Sequence, residues 1–446
     1  MKKFLSILLA SVFCISLSTA CGGNGEKSKG TDEQGTQKEE SETLEDGTEL
    51  EVWCWDPNFN IPAMETAEEY YKKDNPDFSL KITEIAYDAI VQKLAAAVAG
   101  GQEDTLPDIM LTADVNLQKN LTIYSDLWKD LTDSDIDFSE FADYKVKAGT
   151  VDGKIYSVPF DSGASIALYR IDMLEKAGLS LDDLTDLTWD EYIDTVEPAL
   201  ADLGVPMLVD RSDGMQMFNV MLSSAGTWYF DDENNLTLKD NEALRTVMET
   251  YKKLYDAKIL TRASDSEAYY GTFGNGSAVG TMNACWILSS VQKNEDTSGK
   301  WSITNIPKFG NIDNAANAGN NGGSSWVVLD NENSDVAIDF LNKTFAGSVD
   351  FYNEILADTT AVSTWKPAEE GSNYNAPIPF FNDQPIYKMI LEFSTEVPRL
   401  NYGLFTSEAG DAMKTALNDY LNGASLDAVL TKAEENVSFL MQSAGY

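Results

Sequence analysis

Histidine is absent from the 446 residues of this sequence. Without imidazole, the chain can build neither a histidine metal site nor the histidine general base that many enzymes use near neutral pH. Several classes of enzyme are excluded on this ground. The sequence also lacks a glycine loop of the G-x-x-x-x-G-K-[ST] type, so we expect no ATP-hydrolysing site of that type in this chain.

Basic residues are scarce. Lys and Arg together number 32 against 73 Asp and Glu, and the formal net charge is −41. A surface of this charge repels nucleic acid and anionic lipid headgroups, so we expect no nucleic-acid partner. Solubility is the simplest explanation of the acidity, because most acidic side chains of a folded protein are solvated.

Cysteine is also rare, with four residues in the chain. Cys14 and Cys21 belong to the N-terminal segment, so only Cys54 and Cys285 reach the predicted fold. Each of these two lies in an apolar, strand-like run, where a buried thiol is common. We therefore favour two buried thiols, with a disulfide outside the cell as the alternative.

Long apolar runs are confined to the N-terminus. A basic start at Met1–Lys3, an apolar stretch from Phe4 to Leu17 and small residues up to Ala20 predict an export signal over residues 1–20. No later stretch is apolar over the roughly 20 residues that a membrane helix needs. We therefore expect no second membrane helix.

Cys21 follows the signal, and the run from Leu17 to Cys21 resembles a bacterial lipobox, with the leucine one residue earlier than usual. The resemblance implies a palmitate-bearing lipoprotein, anchored to the cell membrane at its extracytoplasmic face. Residues 22–48 are almost entirely polar, so the segment 21–48 reads as the lipidated cysteine and a flexible acidic linker. An ordinary secretory signal with a chance cysteine is the alternative.

Residues 49–446 are too many for one hydrophobic core and suit two lobes. Their first part alternates strand-like and helix-like patterns. The predicted elements are a strand at 50–55, a helix at 63–73, a strand at 80–85, a helix that ends at Gly100-Gly101, and a strand at 107–111. This order predicts a parallel sheet with right-handed crossovers. Ligands bind at the carboxyl ends of such strands, so the loops 55–60 and 112–116 form a candidate rim.

Several motifs in the rest of the chain carry a family resemblance. In the run from Asp152 to Gly178, "DGK.Y..P" leads through a strand into "LY..D..EKAG". Three further stretches fit the same pattern: 273–278 with Met282 and Trp286, 322–326 before a helix with Ala337, Phe340 and Leu341, and 398–403. Together they resemble extracellular solute-binding proteins of the maltose-binding type, over residues 49–446. Arg170 departs from the usual Asn, and we expect it to be structural.

The resemblance implies an α/β protein with two hinged lobes and a ligand cleft between them, the type II periplasmic-binding-protein-like fold. The lobes would comprise residues 49–160 plus about 324–358, and residues 161–323 plus about 359–446. It also implies a monomeric, non-enzymatic component of an ABC importer, without cofactor, metal or catalytic residues. Such a protein captures a carbohydrate, here an oligosaccharide, and delivers it to the membrane permease subunits, while separate subunits hydrolyse ATP.

A sugar has hydroxyls at its edge and C–H patches on its faces, so its site needs aromatic platforms and oriented polar groups. The candidates come from the rim loops and from positions that the family places at the cleft. They are Trp55, Asp56, Asn58, Asp114, Asp161, Trp228, Trp286, Trp326 and Trp365. For each tryptophan the alternative is core packing, and for each aspartate a solvated surface charge. Trp53, on the strand, is assigned to the core.

Three other functions fit parts of the sequence. A cationic solute such as a polyamine would also suit aromatic and carboxylate groups, but its affinity would depend strongly on salt. A secreted glycosidase would use paired carboxylates and would release new products from oligosaccharides. A scaffold or adhesion role would need no hinged cleft.

Overall fold

The computed structural model describes residues 48–446. The predicted export signal, Cys21 and nearly all of the linker lie outside the described residues. Within residues 48–446, no helix combines the length and the apolar character that crossing a membrane requires.

Strands and helices alternate along most of the described chain. The strands are β1 (Glu49–Cys54), β2 (Ser79–Glu84), β3 (Ile109–Ala113), β4 (Thr150–Val151), β5 (Lys154–Ile155), β6 (Ser157–Pro159), β7 (Ser165–Arg170), β8 (Leu208–Asp210), β9 (Leu260–Arg262), β10 (Gly280–Ala284), β11 (Trp301–Thr304) and β12 (Ser324–Val328). The α-helices are α1 (Asn60–Lys72), α2 (Tyr87–Gly100), α3 (Asp114–Ile123), α4 (Asp143–Ala148), α5 (Ile171–Lys176), α6 (Trp189–Val196), α7 (Leu200–Leu203), α8 (Met215–Ser224), α9 (Glu242–Asp256), α10 (Ser266–Asn275), α11 (Ile287–Gln292), α12 (Ser334–Lys343), α13 (Val349–Thr359), α14 (Ile386–Thr395), α15 (Thr406–Leu421) and α16 (Leu426–Ser443).

The first sheet has the strand order β2-β1-β3-β12-β6. Strand β1 pairs in parallel with both β2 and β3, which confirms the predicted parallel β-α-β-α-β unit. Val52 and Cys54 pack into one core, whereas Trp53 packs into the core on the other side of the sheet. Successive residues of a strand point to opposite faces, and the assignment of Trp53 to the core is confirmed.

The second sheet has the order β11-β7-β10-β8-β9. Strand β7 pairs antiparallel with β10 and β11, and β8 pairs in parallel with β9 and β10. All six residues of β7 are buried, because Ile166 and Leu168 pack into one core and Ala167 and Tyr169 into another on the opposite face. The first sheet uses strands from residues 49–159 and 324–328, and the second uses strands from 165–304, so the chain has two α/β lobes.

Three connecting segments lie side by side between the two sheets. Residues 160–164 join β6 directly to β7, and within them Asp161 forms an isolated bridge with Ser363, and Ala164 one with Asn320. The segments around 161, 320 and 363 are therefore neighbours, as a three-segment connection requires. The precise lobe boundaries given above stay a prediction.

Local sequence accounts for several details near these connections. The "DG" of the family motif is a tight hairpin turn between β4 and β5, with φ of 50° at Asp152 and 79° at Gly153. Arg170 is buried and donates two hydrogen bonds to Asp172, at 2.8 and 2.7 Å, which confirms its structural role. Cys54 and Cys285 are buried free thiols, which confirms the favoured alternative.

Asp210, the last residue of β8, is a buried carboxyl that organises the start of α8. Its Oδ1 accepts hydrogen bonds from the backbone N–H groups of Arg211 and Met217, and its Oδ2 accepts one from the Tyr251 hydroxyl. Burial raises the pKa of Asp210 from 3.8 to about 6, although these hydrogen bonds oppose the shift. The folded protein therefore holds this proton more tightly than the unfolded chain.

Replacing Asp210 with Asn tests this assignment through the pH dependence of stability. The protonated carboxyl contributes to the free energy of unfolding. This contribution is fully present below about pH 4 and is lost as the pH rises through about 6. We expect the unfolding free energy of the wild type, relative to Asp210→Asn, to fall by about 3 kcal/mol between about pH 4 and pH 8. Urea unfolding at a series of pH values measures this difference, and a constant difference would contradict the assignment.

Candidate functional site

A pocket of about 680 Å³ opens where the carboxyl end of β1 faces the start of α11. Its walls come from both lobes, because the β1 loop and Ser324 belong to the first sheet, and Trp286 and α11 follow a strand of the second. The lining residues are Trp55, Asp56, Asn58, Phe59, Asn60, Asp161, Trp286, Ser289, Ser290, Lys293, Gly323, Ser324, Thr359 and Thr360. Five of the nine candidates from the sequence therefore line one pocket.

The loop after β1 is held in shape by Asn60, the first residue of α1. The Asn60 side-chain oxygen accepts hydrogen bonds from the backbone N–H groups of Trp55 and Asp56, at 3.1 and 3.0 Å. Asp56 in turn accepts one from the backbone of Asn58 at 2.8 Å. These bonds fix the loop so that five polar or aromatic residues of the pocket wall come from the short segment 55–60.

Two tryptophans present ring surface to the pocket. Trp286 is 36% exposed, and its indole N–H donates to the Asn321 carbonyl at 3.1 Å, so the ring is held while part of its surface stays exposed. Trp55 is half-buried and packs edge-on against Tyr87, with ring centroids 5.0 Å apart. Both rings are thus oriented by their neighbours before any ligand arrives.

Asp161 is the buried carboxylate of the pocket. Its Oδ1 accepts hydrogen bonds from the Ser324 backbone N–H at 2.8 Å and from the Ser324 hydroxyl at 2.5 Å. No other residue among 48–446 donates a hydrogen bond to Oδ2, and Asp161 lines the pocket. Burial raises the pKa of Asp161, and the nearby Lys145 ammonium and the hydrogen bonds from Ser324 oppose that shift.

An ion pair lies directly behind this wall. The Lys145 ammonium, which is fully buried, contacts Asp114 Oδ2 at 2.5 Å and donates to the Ser324 carbonyl at 2.8 Å. Asp114 Oδ1 accepts from the Ser325 hydroxyl at 2.8 Å. Burial raises the pKa of Asp114, and Lys145 opposes the shift. Both oxygens of Asp114 are thus engaged within the protein, and this residue does not line the pocket.

The other three candidate tryptophans lie in the core. Trp326 on β12 is fully buried against Phe160 and Phe345. Trp365 is buried and stacks on Tyr352, with centroids 5.9 Å apart. Trp228 is also buried and donates a hydrogen bond to Thr406 at 2.8 Å. None of the three lines the pocket.

Sequence reasoning did not select nine of the pocket residues. Phe59 and Asn60 lie in the predicted rim loop, and Ser324 lies beside a predicted connection, so position gave a signal for these three. Thr359 and Thr360 follow Asp358, near which a further connection was expected. Nothing in the sequence marks Ser289, Ser290 or Lys293 as site residues, because polar residues in and just after a short helix are common on any protein surface. Within residues 48–446, no group of three or more Cys, Asp or Glu side chains is arranged to hold a metal ion.

Gly323 allows the pocket wall and the ion pair to approach each other. Its φ is +89°, and a Cβ at this position would lie 2.6 Å from Asp114 Oδ2 and 3.1 Å from the Lys145 ammonium. Both the backbone conformation and the space therefore require glycine. Gly323 therefore lies between the buried ion pair and the pocket, because it lines the pocket and is close to both charged side chains.

Replacing Gly323 with Ala should strain the backbone and displace the ion pair. We expect Gly323→Ala to lower the free energy of unfolding by about 2–4 kcal/mol. Gly410→Ala is the matched control, because it lies in α15 with open space around a Cβ and should stabilise the helix by up to about 1 kcal/mol. Urea unfolding measures both, and equal effects would contradict the close packing at Gly323.

Comparison with known proteins places this architecture in a family. Residues 66–377 match the family described as bacterial extracellular solute-binding protein. The lactose-binding protein of Rhizobium radiobacter is 37% identical over 88% of this chain and 93% of its own length. The arabinooligosaccharide-binding protein of Halalkalibacterium halodurans is 25% identical over 90% of this chain and 91% of its own length.

A solved structure shows the same fold at low sequence identity. The sugar-binding protein MalE from Xanthomonas citri superposes with a TM-score of 0.72 at 17% identity, over 89% of this chain and 98% of that protein. The two lobes described above thus correspond to the two-lobed architecture of periplasmic solute-binding proteins, which confirms the predicted fold class. This chain belongs to the family of bacterial extracellular solute-binding proteins.

Proposed function

We propose that this protein is the sugar-capturing component of an ABC importer and that it binds a short, neutral oligosaccharide in the pocket between its lobes. The observation that carries the proposal is the partly exposed Trp286 in the same pocket as Asp161, whose Oδ2 receives no hydrogen bond from another described residue. A flat aromatic surface beside an oriented acceptor is the combination that a sugar ring requires.

The pocket residues divide into two roles. Trp286 stacks on the C–H face of one sugar unit, and Trp55 and Phe59 supply further apolar contact. Asp161, Asp56 and Asn58 accept hydrogen bonds from sugar hydroxyls. The side chains of Ser289, Ser290, Thr359 and Thr360 offer hydroxyl groups that both donate and accept, which suits the mixed hydrogen bonding of a sugar edge.

Closure of the lobes completes binding. The ligand first contacts one wall, and rotation about the three connecting segments then brings the second wall onto it. Because closure excludes water, the hydrogen bonds from the carboxylates become stronger. The closed form is the one that docks on the permease subunits, whose partners hydrolyse ATP.

The relatives indicate the class of sugar. One is named for lactose and another for arabino-oligosaccharides, so both names refer to neutral sugars of at least two units. A volume of about 680 Å³ lies within the roughly 300–1,000 Å³ range of small-molecule sites. Lactose is the first candidate ligand, because the lactose-binding relative has the higher identity of the two.

A polyamine fits the pocket less well than a sugar. Three carboxylates, of Asp56, Asp114 and Asp161, lie in or behind the wall, but the ammonium groups of Lys145 and Lys293 offset two of these charges. One net negative charge is a weak attraction for a ligand that carries several positive charges. A glycosidase is disfavoured because the relatives are named as binding proteins.

We also propose that Cys21 carries the lipid anchor and that the protein is a monomer at the extracytoplasmic face of the cell membrane. The run from Leu17 to Cys21 and the polar segment behind it support this proposal. Expressed in a bacterial host, Cys21→Ala should appear in the soluble fraction, whereas the wild type should sediment with membranes and carry acyl chains by mass spectrometry. An unacylated wild-type Cys21 would contradict the anchor.

Replacing Trp286 with Ala tests whether its ring stacks on the sugar. We expect Trp286→Ala to weaken lactose binding about ten- to a hundredfold, because the stacking surface is lost. Calorimetry with lactose, maltose and arabino-oligosaccharides measures the affinities. Tyr255→Ala is the control, because Tyr255 is similarly exposed, at 39%, but does not line the pocket. Unchanged affinity in Trp286→Ala would contradict the assignment.

A further inference from the structure

The side chain of Lys145 is fully buried, and its ammonium group contacts two residues, Asp114 and Ser324. It joins α4 to the first residue of α3 through Asp114 and to the first residue of β12 through the Ser324 carbonyl. The same Ser324 donates two hydrogen bonds to Asp161. The ammonium therefore contacts the Asp114 carboxylate directly and is linked through Ser324 to Asp161, which lines the pocket.

The arrangement has more negative than positive charge. The Lys145 ammonium acts on both Asp114 and Asp161, and burial favours the neutral form of these two acids. Lys293 and Asp56 also line the pocket with Asp161. The other titratable groups that face these carboxylates are phenols and a thiol, whose pKa values burial raises, so they stay neutral near pH 7. They are Tyr87, Tyr144, Tyr352, Tyr402 and Cys285. Lys145 favours the ionised form of both acids, and the hydrogen bonds from Ser324 and Ser325 act in the same direction.

We propose that Lys145 is the positioning residue of the sugar site: its buried ammonium keeps Asp161 in the carboxylate form, oriented so that Oδ2 accepts hydrogen bonds from ligand hydroxyls. This inference rests on the proposed sugar-binding function. A protonated Asp161 would offer one acceptor fewer and a donor instead, and the hydrogen-bond pattern at the wall would no longer match the ligand. The sequence offers no signal for this role, because Lys145 is remote from every motif of the pocket.

The test compares the pH dependence of sugar affinity in two variants, Asp114→Asn and the double variant Lys145→Met/Asp114→Asn. In Asp114→Asn, of the two carboxylates only Asp161 remains for the Lys145 ammonium to stabilise. In the double variant Asp161 keeps its burial but loses the cation, while the fold is spared an unpaired Asp114. The probe is lactose, or the panel sugar that binds the wild type most tightly if lactose does not.

We expect affinity to fall as the pH is lowered through an acid midpoint that reports the protonation of Asp161. The midpoint should lie at least about one pH unit higher in the double variant than in Asp114→Asn. It should lie lower in Asp114→Asn than in the wild type, because a like charge has been removed. Asp161→Asn, which cannot ionise, should bind weakly and lack this midpoint.

Equal midpoints in Asp114→Asn and the double variant would overturn the proposal. They would mean that Lys145 only neutralises Asp114, a role that ends once Asp114 is replaced by the neutral Asn. If the double variant does not fold by circular dichroism, Lys145→Gln/Asp114→Asn replaces it, because Gln is neutral but keeps a donor for the Ser324 carbonyl. A midpoint equal to that of Asp114→Asn then overturns the proposal. If the wild type binds no sugar of the panel at any pH, the proposed function itself fails.

Discussion

The contact between the Lys145 ammonium and Asp114 is the interaction on which the centre of this molecule depends. Both side chains are buried, and they join α3, α4 and β12 at the place where the chain passes between its two sheets. Removing one partner of such a pair leaves an uncompensated charge in the interior, which costs about 3–5 kcal/mol. The packing around Gly323 and the position of Ser324 follow from this pair.

The positions of the pocket side chains depend on the residues around this ion pair. Ser324 holds Asp161 on one side and accepts the Lys145 hydrogen bond on the other, so the pocket wall and the buried charges share a residue. Trp286 is fastened to the neighbouring Asn321 carbonyl. A ligand that contacts both Asp161 and Trp286 therefore contacts the connecting segments directly, which is how binding in the cleft can be coupled to closure of the lobes.

The sequence predicted the fold better than the site. The first three strands and two helices follow from apolar periodicity, with the third strand displaced by two residues, to Ile109–Ala113. The loop after β1 was predicted as a rim because it follows a parallel strand, and Trp55, Asp56 and Asn58 do line the pocket. Trp326 and Trp286 occur in equally apolar surroundings in the sequence, yet one is fully buried and the other is 36% exposed and lines the pocket.

Sequence by itself determined the absence of histidine chemistry, the acidic balance, the parallel unit of β1, β2 and β3 and the family resemblance, because each depends on composition or on residues close together in the chain. The antiparallel pairing of β12 with β3 and β6 in the same sheet was not predicted. Only the tertiary structure decided which tryptophans face the pocket, that Asp114 is paired with Lys145, and that Ser324 links that pair to Asp161. These features depend on contacts between residues up to 211 positions apart, such as Ser325 with Asp114, and no local pattern encodes such contacts.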